Sequence, residues 1–90
     1  MVKEKEFQKG ETDELLSDGH NLVLFNDDHN TFDHVIESLV EVCKHEYNQA
    51  EQCALVAHFN GKCTVKTGSL DELKPMQDAM GLRDLTVEIQ

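Results

Sequence analysis

The sequence predicts an α+β fold, and three patterns carry that prediction. Four apolar residues, Leu22 to Phe25, stop abruptly at Asn26, Asp27 and Asp28, as a buried strand ending in a polar turn does. An apolar stripe at Phe32, Val35, Ile36, Leu39, Val40 and Cys43 follows with helical spacing. Near the end, Leu85, Val87 and Ile89 alternate with Thr86, Glu88 and Gln90, which is the period of a strand. With the segments between them, the order becomes βααβαβ. Such a chain folds as an open sandwich, a three-stranded antiparallel sheet packed against three helices.

Residues 1–20 hold six acids, three lysines and few apolar side chains, with Gly10 and Gly19 as breakers. A segment of this kind buries too little surface to offset its ordering entropy, so it is expected to be a flexible acidic arm. The folded domain is then 21–90. Strand Asn21–Phe25 opens it, and Asn30 or Thr31 is placed to cap the first helix, with Asp33 suited to the positive end of the helix dipole. After a short link at 45–47, Asn48 with Glu51 resembles a capping box that opens a second helix running to His58 or Phe59. Its apolar residues spread over two sides, which predicts a helix sandwiched between neighbours. Asn60-Gly61 ends it, with Gly61 as the left-handed cap residue.

Lys62 to Thr67 alternates and reads as a half-exposed antiparallel strand. Ser69 and Glu72 form a second capping-box pattern. Leu73, Met76 and Met80 keep helical spacing, but Pro75 lies among them and lacks the N–H that a helix interior needs. Either the helix kinks there, or a single turn precedes a helix that starts at Pro75. Gly81 is expected to close it.

Composition removes whole classes of function. A formal charge of −10 opposes nucleic acid, where affinity rests on neutralising phosphates, and equally opposes anionic lipid. It suits a cationic ligand or a basic partner surface. Cys43, Cys53 and Cys63 are odd in number and ten residues apart, matching neither a disulfide framework nor a CxxC metal site. Reduced thiols in a cytoplasmic protein are expected. The start of the chain has no apolar signal-like region, and no stretch reaches the length of a membrane span.

The candidates for chemistry are Asn26, Asp27, Asp28 and His58. An amide oxygen, carboxylates and an imidazole nitrogen all accept hydrogen bonds, and an ammonium group donates three. On residue types alone, amine capture stands beside a plainer reading, a solvated strand end that caps the next helix. A thiol–imidazole nucleophile would need the two groups adjacent at an exposed turn, and no cysteine sits in one. His34 and His45 share a helical face but lack the companions of a metal site, and Gly61-Lys62 lacks the upstream glycines of a phosphate cradle. No cofactor is expected.

NLVLFNDDHNTFDHVIESLVEV, followed later by AHFNGK, strongly resembles the ClpS family, adaptors that deliver N-end rule substrates to the Clp AAA+ protease. The likeness is good over 21–67 and looser over 68–90. It implies the βααβαβ fold and a non-enzymatic function: recognition of the free α-amino group and bulky hydrophobic side chain of an N-degron. By matching position, Asn26, Asp28 and His58 would hold the amine, with Asp27 acting through water or its field. Phe32 stands where the family usually has a gating methionine, and Asn30, Val35, Ala54, Ala57 and Leu85 would line the rest.

Two departures suggest a reshaped pocket that favours aromatic ligands. Phe32 is a rigid ring in place of a thioether, and Ala54 stands where many members carry a larger apolar residue. The implied partners are N-degron proteins and a Clp-type unfoldase, ClpA- or ClpC-like, with its ClpP peptidase, the adaptor itself being a monomer. The alternative is a structural interaction module like a ribosomal stalk C-terminal domain, without an N-degron pocket.

Overall fold

The computed structural model describes residues 19–90; the arm expected over 1–20 lies outside them except at its end, where His20 already belongs to a strand. The elements are β1 (His20–Phe25), α1 (Phe32–Cys43), α2 (Tyr47–Asn60), β2 (Lys62–Gly68), α3 (Leu70–Leu82) and β3 (Val87–Ile89). The sheet has the order β2-β1-β3 with both pairings antiparallel. The predicted α+β sandwich is the fold that forms.

β1 is central because it is the strand that can be buried along its length. Leu22, Val23 and Leu24 are each 4% exposed or less. Leu22 and Leu24 enter a core with Ile36, Leu39 and Cys43 of α1, Ala50, Ala54 and Ala57 of α2, and Leu73 and Met80 of α3. The alanines of α2 let that helix approach closely, with little side chain between its backbone and its neighbours. Paired on both sides, β1 has a rigid C-terminal end, and the polar residues after it inherit that rigidity.

Between Leu22 and Val23 the β1–β2 register shifts, since Leu22 faces Lys66 while Val23 faces Thr64. Val65 is therefore the extra residue of a bulge. Its carbonyl accepts a hydrogen bond from the Nε2–H of His45, 2.6 Å away and only 5% exposed. The imidazole fills the gap between the helical link and the sheet, and its Nδ1 is buried without a partner.

Helix ends follow the sequence in part. Thr31 caps α1, its hydroxyl accepting from the His34 N–H at 3.1 Å. Ser69 and Glu72 form the expected box at α3. The box expected at Asn48 and Glu51 does not form: α2 starts at Tyr47 behind Glu46, which makes no side-chain cap. Lys44 turns the chain in a left-handed conformation, and His45 after it is anchored to the Val65 carbonyl.

Nor is α2 sandwiched, because Val56 and Phe59 on its outer side are exposed. α3 runs unbroken through Pro75, which sits on its exposed side. The missing N–H would have served the carbonyl of exposed Asp71, which water can satisfy instead. Gly81 lies within α3 rather than closing it. The left-handed residue comes at Asp84, φ 69°, a side-chain type that tolerates this region.

Candidate functional site

Two chain segments distant in sequence meet at the end of β1. The Asn26 N–H donates to the Gly61 carbonyl at 2.9 Å, and the Gly61 N–H donates back to Ala57 at 2.9 Å. Gly61 has φ 92°, a conformation that glycine adopts without steric cost. This turn is what joins the NDD segment to His58, one turn upstream in α2. A side chain at 61 would strain the joint.

Beside the joint lies a pocket of about 270 Å³. Asn26, Asp27, Asp28, Asn30, Phe32, Val35, Ala54, Ala57 and His58 all line it, as do Leu24, Phe25 and Thr31. The arrangement has two halves. Val35, Ala54, Ala57 and the ring of Phe32 make an apolar wall, and Asn26, Asp28, Asn30 and His58 supply polar atoms. Small residues at 54 and 57 leave the space that larger ones would fill.

Leu85, expected in the lining, is not there. It is 5% exposed within the core, and its N–H bonds to the Met80 carbonyl as the chain leaves α3. The three lining residues absent from the sequence reading had weaker signals. Leu24 and Phe25 read as strand interior, and Thr31 as a helix cap.

Asp27 organises the loop from within. Its Oδ1 accepts from the backbone N–H groups of His29 at 3.1 Å and Asn30 at 2.8 Å, and its Oδ2 accepts from Asn30 Nδ2 at 2.8 Å. Burial pushes this carboxyl's pKa up, but the hydrogen bonds from Asn30 and His29 outweigh it, and the group stays below its ordinary value. Asp27, expected to act through water or its field, has its carboxylate taken up by the loop that carries its neighbours, a role the sequence reading did not assign. Asp28 projects from the same loop as an exposed residue.

His58 is placed by rings. Its imidazole lies 5.2 Å from the Phe32 ring, tilted by 57°, and 4.9 Å from the Phe59 ring in an edge-on arrangement. Phe32 is 43% exposed at the pocket mouth, although its helical stripe is otherwise turned inward. Residues of the other weighed chemistries lie elsewhere. His34 donates from Nε2 to the Arg83 carbonyl at 2.7 Å, and His45 bonds the bulge. Among the described residues, no group of three His, Cys, Asp or Glu is arranged to hold a metal ion. All three cysteines are free thiols.

The fold is thus a βααβαβ sandwich with a half-apolar, half-acceptor pocket at the end of its central strand. The chain belongs to the ClpS family: the family model described as ATP-dependent Clp protease adaptor protein ClpS matches residues 17–84. Among solved structures, ClpS2 of Agrobacterium tumefaciens bound to L-phenylalaninamide superposes with a TM-score of 0.68. It is 20% identical, and the match covers 79% of this chain and 93% of that one. The stalk-like alternative gives way to this assignment.

Proposed function

We propose that this ClpS-family chain is a non-enzymatic adaptor that binds N-degrons in the pocket at the end of β1. The single observation that carries this reading is the meeting of Asn26, Asp28 and His58 around a space walled by Phe32, Val35, Ala54 and Ala57. The amide oxygen, carboxylate and imidazole accept the three N–H bonds of an α-ammonium group. The apolar wall takes the first side chain. The relative bound to L-phenylalaninamide offers the same pair of features in its ligand, a free amine on an aromatic residue, which supports the reading.

Magnitudes explain why both halves are needed. Burying one Phe or Leu side chain contributes about 1.5–3 kcal/mol. A micromolar complex needs about 8 kcal/mol. Charge-assisted hydrogen bonds at about 1.5–3 kcal/mol each, three of them on one ammonium, supply the difference. An internal residue brings no ammonium and leaves the acceptors poorly satisfied. The site therefore reads a terminus.

The captured chain is handed to a Clp-type AAA+ unfoldase and its peptidase in the cytoplasm, with the acidic arm engaging that machine and the adaptor acting as a monomer. The test is a titration of a Phe-initiated peptide and its N-acetylated twin against the protein. Binding of the free peptide alone is expected; equal binding by both, or by neither, would sink the proposal. Asp28→Ala should weaken the free peptide selectively.

A further inference from the structure

Within the pocket, Asn30 is held by an unusual pair of acceptors. Its amide nitrogen donates to Asp27 Oδ2 at 2.8 Å and to the backbone carbonyl of Asp84 at 2.9 Å. The nitrogen carries two hydrogens, so both are committed. Turned over, the amide would set its oxygen against a carboxylate and a carbonyl, with no hydrogen to share. Oδ1 is then the only side-chain polar atom Asn30 has left for the pocket it lines. The sign matters. An oxygen acceptor attracts an ammonium group, whereas an NH2 turned toward it would repel it.

Asp84 comes from the far end of the chain, on the turn between α3 and β3. Its backbone is left-handed at φ 69°, and its carbonyl is the one that accepts from Asn30. The same turn is tied down three more times. The Asp84 carboxylate accepts from His29 Nε2 at 3.1 Å, the Arg83 carbonyl accepts from His34 Nε2 at 2.7 Å, and the Arg83 guanidinium pairs with Glu41. These ties bind the turn to the 27–30 loop and to α1.

We propose that Asp84 is a positioning residue for amine recognition: its left-handed backbone directs the carbonyl that locks the Asn30 amide, so the pocket wall presents an oxygen. The inference rests on the amine-binding reading above. It acts through backbone conformation, not through the carboxylate, and this decides the test.

Asp84→Asn and Asp84→Gly both keep access to the left-handed region, and the β-branched Asp84→Val does not. In the full chain, the two Asn30 side-chain amide protons should give separate, slowly exchanging NMR signals. These should survive in D84N and D84G and be lost in D84V. Affinity for a Phe-initiated peptide should stay within about twofold of the parent in D84N and D84G, and fall roughly tenfold in D84V. In an Asn30→Ala background, adding D84V should cause no further fall, because the residue it acts through is gone.

A D84V loss that persists in full without Asn30 would overturn the proposal. So would Asn30 signals indifferent to D84V, or D84N and D84G as weak as D84V. If D84V does not fold, D84A, with a milder left-handed penalty, takes its place under the same readouts. Failure of the amine reading is separate and appears in the parent chain, as equal binding of free and acetylated peptide.

Discussion

Asp27 grips Asn30 twice, through Oδ1 to its backbone N–H and through Oδ2 to its side-chain nitrogen, both at 2.8 Å. The loop between β1 and α1 is closed by these bonds and by the His29 N–H on the same carboxylate. Asp27→Ala frees three donors at once. Peptide affinity should fall by tenfold or more, with a loss of about 1–3 kcal/mol in stability. Calorimetric titration beside urea unfolding checks this, and unchanged affinity would refute the loop's role.

The same residue gives the acid limb a sign. The folded-state pKa of Asp27 lies below its ordinary value of 3.8, so its contribution is present above that value and is lost as pH falls through the folded one. Stability should decline below about pH 4, and Asp27→Asn should flatten that decline. Urea midpoints across pH 2 to 5, on the order of half a unit apart, measure it.

Phe32 and His58 stand 5.2 Å apart at the pocket mouth. A rigid ring there adds contact for a flat ligand side chain, worth about 0.5–1.5 kcal/mol. Phe-, Tyr- or Trp-initiated peptides should bind more tightly than a Leu-initiated one. Phe32→Met should narrow the gap. Competition binding with the four peptides decides, and no aromatic preference over Leu in the parent chain would count against the reshaped pocket.

His45 is the link between the helical layer and the bulge. His45→Ala leaves the Val65 carbonyl without its 2.6 Å donor and opens a cavity behind a residue only 5% exposed. A loss of about 2–4 kcal/mol is expected. It should show as a lower urea midpoint with an unchanged slope. A change under about 0.5 kcal/mol would mean that the bulge needs no such support.

At the alkaline end two thiols contribute. Burial pushes the Cys43 thiol up to about 11, and burial with the neighbouring Cys63 thiol pushes Cys53 up to about 12, both from 9.0. The folded state therefore holds protons that the unfolded chain releases. Their contribution is complete below about pH 9 and is lost as pH rises toward the folded values. Cys43→Ala should lower stability at neutral pH yet shrink the alkaline decline. An identical decline in the variant would place its cause elsewhere.

What the chain alone determined was local. Period-2 and period-3.6 patterns set six elements in order, Ser69 and Gly61 marked two ends, and a third was narrowed to Asn30 or Thr31, of which the structure uses Thr31, because capping and left-handed turns involve residues close in sequence. The family motif brought Asn26 and His58 into one expectation before any geometry was at hand. Tertiary structure decided the rest. α2 starts at Tyr47 without the expected cap, Pro75 is absorbed on the exposed side of α3, and Leu85 goes to the core instead of the pocket. Asp84 met Asn30 across 54 positions. Contacts of that span have no period to announce them. They exist only once the sheet has paired and the helices have packed, since the packed core, and not the local sequence, sets where the two ends of the chain meet.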